Sequence, residues 1–187
     1  ISLDHTEFLG SDLPSIAREK GGIIKAATPL ILGRTEEAYE KVLLDLAAAH
    51  KAPLIRADQA YTPLFSTLNQ EGSMILRIQN MESGATESYT SDLAGLYQQE
   101  NLITALTALR QLQHSGWSIP QSALEQGFSS VAAQTGIMGR WQTIGFNPRS
   151  ICDTAHNRDG IAAVMKQLDQ VPRKELHVVW GMVSDKD

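Results

Sequence analysis

Cysteine is nearly absent from this sequence. Cys152 stands alone among 187 residues, so no disulfide can close within the chain. That fits a reducing compartment, and a cytoplasmic location is the expectation. Basic residues are outnumbered, with 16 Lys and Arg against 21 Asp and Glu, for a formal charge of −5. Non-specific nucleic-acid binding needs clustered Lys and Arg against phosphates, so that class is disfavoured. Small anionic ligands remain open, because a local site can be positive on an acidic protein. Long apolar runs are missing, so no segment reads as a membrane span, and no signal-peptide pattern is present. No Gly-x-x-x-x-Gly-Lys-Ser/Thr run occurs either, the loop whose N–H groups and Lys cradle nucleotide phosphates.

What is present is ordinary globular composition, 42% apolar and 20% charged. The length suffices for one substantial core, or for one domain and part of another. Ile1-Ser2-Leu3 reads as the end of a strand, and Val183 to Asp187 as a loop after an apolar strand. A piece of a larger protein is the expectation.

Local patterns predict an α/β chain. Ser11 or Asp12 caps a short helix with Pro14 in its first turn and Gly21-Gly22 as its stop. Residues 29–32 read as a strand. Thr35 is the expected cap of a longer helix, with Glu36 and Glu37 in its first turn and Ala38, Val42, Leu46 and Ala49 as its buried stripe. Residues 53–55 form the next strand, and strand–helix–strand implies a parallel pair. Residues 61–90 read as hairpin-like strands, with one strand at 74–78 and a turn at Gly84. Leu96, Leu102, Leu106 and Leu109 mark a helix over 93–112, and Pro120 precedes another over 121–131. The Gly-rich stretch 135–139 connects to a second α/β unit: strand 141–144, turn Asn147-Pro148, strand 150–153, helix 160–168 and strand 176–180. A domain boundary falls near residue 136.

Three segments carry chemistry. In the first, Leu3-Asp4-His5-Thr6-Glu7-Phe8-Leu9-Gly10 is followed by Arg18-Glu19-Lys20-Gly21-Gly22-Ile23-Ile24-Lys25. An imidazole at a strand end can ligate a metal, and neighbouring carboxylates suit Mg²⁺. Each alone has a plainer reading, a polar surface His and a Lys serving a helix dipole. The second segment is Gly95-Leu96-Tyr97-Gln98-Gln99-Glu100-Asn101-Leu102, inside the strongest helical pattern. An Asn there can satisfy local hydrogen bonds or offer both donor and acceptor to a nucleotide. The third runs from Gly139-Arg140-Trp141-Gln142 to Ile151-Cys152-Asp153-Thr154-Ala155-His156-Asn157. The Arg fork suits phosphate oxygens. Asp153 falls at a strand's C-terminal end, where open α/β sheets place ligand-binding groups, although an N-cap is its plainer role. Cys152 reads as a small core residue.

Together these segments resemble the folylpolyglutamate synthase/dihydrofolate synthase family of the Mur ligase superfamily. They match its D-H-T-x-x-L-G, E-K-A-G-I, G-R and D-x-A-H-N motifs, with Gly21 in place of the motif Ala. Val178-Val179-Trp180-Gly181-Met182 and Asp185-Lys186-Asp187 match its G-M-x-x-D-K-D region. The resemblance implies part of a P-loop-type central ligase domain over 1–135 and the start of a Rossmann-like C-terminal domain over 136–187. It implies Mg²⁺ ligation by His5 and by a carbamylated Lys20, and nucleotide contacts from Asn101, Arg140 and Asp153. His156 would lie near the nucleotide and the domain interface as a catalytic group. The implied activity is ATP-dependent addition of L-glutamate to dihydropteroate or to folate polyglutamate tails through an acyl phosphate. ATP and Mg²⁺ are the implied cofactors, no nucleic acid or membrane partner is expected, and a monomer is the default. Lacking a P-loop, this stretch is expected to be inactive alone. A Mur-type ligase for cell-wall precursors and a non-catalytic nucleotide- or folate-binding fragment are the alternatives.

Overall fold

The computed structural model describes residues 1–3 and 6–181. Helix α1 (Thr6–Leu9) leads into α2 (Leu13–Gly21). Asp12 caps α2 as expected, its side chain accepting from the Ser15 N–H at 2.7 Å. Gly21 is buried against α3 (Glu37–Ala49), and a Cβ there would lie 2.3 Å from Leu46 Cδ1. Even Ala would therefore displace the end of the Leu46 side chain, which occupies the space that Gly21 leaves open. Strands β1 (Leu30–Leu32) and β2 (Leu54–Arg56) pair in parallel around α3, with Leu30 opposite Leu54.

Two details of α3 differ from expectation. Its N-cap is Glu36, not Thr35; the Thr35 hydroxyl donates instead to Glu40 Oε1 at 2.8 Å. Its buried residues are Tyr39, Leu43 and Ala47, while Ala38 and Ala49 are exposed. The aromatic Tyr39 sets the inward face, and it turns the stripe by one residue.

Helix α4 (Ala57–Ala60) follows, then the meander β3 (Tyr61–Leu68), β4 (Met74–Asn80) and β5 (Thr86–Ser91). Both pairings are antiparallel, and β3 carries an irregularity between Pro63 and Phe65. Met74, Leu76 and Ile78 alternate inward from β4 and pack with Leu102, Ile103 and Leu106 of α5 (Gln98–His114). Each such fully buried side chain contributes about 1.5–3 kcal/mol by leaving water. Helix α6 (Gln121–Ser129) closes this core, Phe128 meeting Tyr89 edge to face at 5.3 Å, and α7 (Val131–Thr135) follows it. The expected single helix is interrupted at Ser130, whose φ of −135° is not helical.

Beside that core, the Tyr89 hydroxyl donates to Glu87 Oε2 at 2.6 Å, and Arg110 donates to the same carboxylate at 2.8 Å. Burial first, then the Glu87 carboxylate, push the Tyr89 phenol up to about 12. The unfolded chain therefore loses this proton at lower pH than the folded one. The associated stability is full below the ordinary tyrosine range and is lost as pH rises toward 12. Chemical denaturation from pH 9 to 12 should show a loss about 2 kcal/mol larger than in Tyr89→Phe. Equal slopes for the two proteins would remove Tyr89 as the cause.

After Gly139 the chain forms the antiparallel hairpin β6 (Gln142–Phe146) and β7 (Arg149–Cys152), then α8 (Arg158–Asp169). Three expectations fail at the edges. Residues 1–3 and 176–180 are not strands. Among the described residues the second of these stretches has no ladder partner, and Val179 is fully exposed; apolar residues make a strand only where a neighbour completes its hydrogen bonds. Cys152 is exposed, because β6 and β7 form a sheet of only two strands that leaves the side chain uncovered. The described structure is α/β, and no described helix is long and apolar enough to cross a membrane.

Candidate functional site

The helical reading of 93–112 fails at its start, and that failure builds the site. Leu93, Ala94 and Gly95 are buried in an irregular segment that precedes α5. A Cβ on Gly95 would lie 2.5 Å from the Tyr97 ring, so the bare glycine lets Tyr97 fold back on its own segment. The main-chain groups here are not satisfied by helix. Gln167 of α8, only 3% exposed, accepts from the Leu96 N–H at 2.7 Å and donates to the Ala94 carbonyl at 3.0 Å. One buried amide thus uses its acceptor and a donor to fasten α8 to this segment.

A second fastening is Asp153, immediately after β7. Its Oδ2 accepts from the Tyr97 hydroxyl at 2.5 Å and from the Trp141 N–H at 2.8 Å, and its Oδ1 accepts from the Ala155 N–H at 2.8 Å. Asp153 does not cap α8; Asn157 does, accepting from Gly160 N–H at 2.9 Å. Burial, and then Asp153 itself, hold the Tyr97 phenol far above the ordinary tyrosine range, so it is a neutral donor here. Trp141 is 1% exposed and has φ +54°, a region that bulky residues rarely enter. Its N–H bond to Asp153 helps hold that conformation. Among the described residues, Trp141 Nε1 and Asp92 Oδ1 are buried with no hydrogen-bond partner.

Arg140 leaves the same turn. Its Nη1 donates to the Gly139 carbonyl at 3.2 Å and to Thr154 Oγ1. Thr154 closes the turn by donating from N and Oγ1 to the same carbonyl, at 3.0 and 3.1 Å. His156 is exposed, with Nδ1 3.0 Å from the Thr154 carbonyl; a carbonyl only accepts, so Nδ1 carries a proton. Arg140, Asp153 and His156 therefore share one loop cluster, beside the N-terminus of α8 with its partial positive charge. An Arg fork, a helix N-terminus and a carboxylate with spare acceptor capacity suit a ligand that combines anionic groups with hydrogen-bond donors.

The other expected residues stand apart. Asn101 is exposed on the first turn of α5 and donates to Gln98 Oε1 at 2.7 Å, with no bond to Arg140 or Asp153. Lys20 is exposed in the last turn of α2 and is joined to none of these groups. His5 lies outside the described residues. Among the described residues no three His, Cys, Asp or Glu side chains gather as a metal site. Among the described residues, a cavity of about 790 Å³ is lined by Tyr97, Gln167 and Lys166 but by none of the expected site residues. It borders the cluster through Tyr97 and through Asp159 in the first turn of α8. Sequence patterns missed Tyr97 and Gln167. Only the irregular Gly95 within a helical run signals that something other than helix packs there.

Residues 139–187 match the family described as Mur ligase, glutamate ligase domain. The whole chain is 31% identical to an Escherichia coli dihydrofolate synthase/folylpolyglutamate synthase and 27% identical to a Lacticaseibacillus casei folylpolyglutamate synthase. It spans 40% and 42% of the lengths of these curated relatives. A solved FPGS–AMPPCP–folate complex superposes with a TM-score of 0.78 at 25% identity, over 91% of this chain and 40% of that one. A Mycobacterium tuberculosis folylpolyglutamate synthase complexed with ADP gives 0.74 at 29% identity, over 90% and 37%. The chain is thus similar in sequence along its whole length to dihydrofolate synthase/folylpolyglutamate synthases, and in fold to folylpolyglutamate synthases.

Proposed function

We propose that this chain is part of an ATP-dependent acid–amino-acid ligase of the folylpolyglutamate synthase/dihydrofolate synthase kind, which adds L-glutamate to dihydropteroate or to folate polyglutamate tails. One observation carries the reading: the fold follows, over 91% of the chain, a protein solved with both an ATP analogue and folate. In this reading residues 1–135 belong to a central nucleotide-handling domain, residues 136–187 begin the C-terminal domain, and the enzyme works in the cytoplasm.

The chemistry proceeds in two displacements. A substrate carboxylate oxygen attacks the γ-phosphorus of ATP, the bond to the bridging oxygen breaks, and ADP leaves with that electron pair. The glutamate amine then attacks the acyl carbon, phosphate leaves, and the nitrogen loses a proton to give the amide. Arg140 offsets charge on the phosphates, and a fork of fixed donors in a water-poor site does this without reorganising. Asp153 and Asn101 hold the nucleotide, and His156 lies at the reaction side of the same loop. His5 and a carbamylated Lys20 are the proposed contacts of Mg²⁺, which would supply charge neutralisation at the phosphates when bound. Water must be excluded, because it hydrolyses acyl phosphates.

The full-length protein should consume ATP and ligate glutamate with dihydropteroate, tetrahydrofolate or both. The 187-residue stretch alone should do neither, since it contains no phosphate-cradling P-loop sequence. Turnover only with a cell-wall nucleotide precursor would replace this reading by the Mur-type one. Nucleotide binding without any ligation would leave a non-catalytic binding protein. Activity of the isolated stretch would overturn the dependence on a P-loop elsewhere.

A further inference from the structure

A carboxylate has about four acceptor positions. On Asp153 three are taken, by Tyr97 Oη and Trp141 N on Oδ2 and by Ala155 N on Oδ1. One remains, on Oδ1. Two of the three donors are main-chain groups of the β6 entrance and of the loop before α8. The third, Tyr97, is the only side chain, and it comes from 56 residues away. Tyr97 is itself held in place: Gly95 leaves room for its ring, and Gln167 grips the main chain on its N-terminal side at Ala94 and Leu96.

We propose that Tyr97 is a positioning residue: its hydroxyl fixes the rotation of the Asp153 carboxylate, so that Oδ1 alone is presented to a hydrogen-bond donor of the nucleotide. That donor is a ribose hydroxyl or the purine amino group, because phosphate oxygens cannot donate to a carboxylate. The inference rests on the reading of Asp153 as a nucleotide contact. It adds a residue from the first half of the chain to a site otherwise built by the second half. Without the Tyr97 bond the carboxylate keeps only the two main-chain donors, one on each oxygen, and Oδ2 as well as Oδ1 then offers a free position to the ligand.

The test uses the full-length protein, wild type and Tyr97→Phe, which keeps the ring and removes the donor. Hydrogen exchange at the Trp141 amide, without ligand, should be about tenfold faster in Tyr97→Phe, since its acceptor has been loosened. Gln167→Met, which loosens the segment that carries Tyr97 but keeps its hydroxyl, should accelerate that amide clearly less than Tyr97→Phe does. Equal acceleration in both variants, or none in Tyr97→Phe, overturns the proposal.

The second arm compares KM for ATP, 2′-deoxyATP, 3′-deoxyATP and inosine triphosphate. In wild type one analogue should bind about tenfold worse than ATP, identifying the donor that Asp153 reads. In Tyr97→Phe that gap should shrink severalfold, with kcat changed by less than about threefold. A gap that Tyr97→Phe leaves intact, or no gap in wild type, sinks the inference while glutamate ligation stands. Absence of ligation in wild type with the exchange result intact would instead count against the ligase reading alone.

Discussion

Arg140→Ala in the full-length protein should lower kcat/KM for ATP-dependent glutamate addition by about a hundredfold, equivalent to about 2.7 kcal/mol of transition-state stabilisation. The geometry explains the size. The guanidinium carries five N–H donors, and its contacts to Gly139 and Thr154 all run through Nη1. Among the described residues Nη2 and Nε have no partner, and in this reading they meet phosphate oxygens while Nη1 anchors the fork. Stability should change little, because Arg140 is only half-buried and lies outside the hydrophobic core clusters. Arg140→Lys should fall between the two, retaining the charge and losing the planar fork. A substitution that leaves steady-state kinetics unchanged would remove Arg140 from the nucleotide site.

The same cluster shows what could and could not be read from the residues. That Arg140, Asp153 and His156 lie together was legible, because they fall within 17 positions of one another in motifs of defined spacing. Their local geometry is also set locally, by the turn at Gly139 and Thr154. Tyr97 and Gln167 were not identifiable. Their bonds span 56 residues and 71 to 73 residues respectively, and neither residue type announces such a contact. Gln167 sits on a helix that is otherwise exposed or half-buried, and it reads as a solvated amide until its neighbours are known. Asp153 was read as a ligand-binding carboxylate or a helix cap, and the structure gives it a third role as the tie between Tyr97 and Trp141.

In the fold, the parallel pair β1 and β2 was readable because strand, helix and strand follow with short connections. β4 was readable because Met74, Leu76 and Ile78 alternate inward from a central strand. β3 shows no such alternation: it is an edge strand, contains Pro63 and an irregular register, and exposes four successive residues, Thr62 to Phe65. Apolar content misled at 176–180, since a strand needs a paired ladder as well as apolar residues. Composition misled at Cys152 for a related reason, a hairpin of two strands having no covering layer over that side chain.

Gly139→Ala should reduce both stability and turnover, and Thr154→Ser should restore most of the turnover. Gly139 is buried at φ +68°, and a Cβ there would lie 2.3 Å from Thr154 Cγ2. Left-handed backbone costs an L-residue about 1–2 kcal/mol. The clash adds to that, because Thr154 is β-branched and leaves its rotamer only by breaking its bonds to the Gly139 carbonyl and to Arg140. Losing those bonds costs about 1 kcal/mol more, for a total near 2–3 kcal/mol in denaturation experiments. Turnover should fall at least tenfold, since Arg140 loses the oxygen that anchors it. Serine at 154 removes the clashing methyl and keeps Oγ1. In the Gly139→Ala background it should bring turnover back to within about threefold of wild type, while about 1 kcal/mol of the stability loss persists from the backbone alone. Recovery of turnover without full recovery of stability would separate the two contributions. No recovery at all would mean that the damage comes from the displaced backbone, and that Thr154 does not relay it to Arg140.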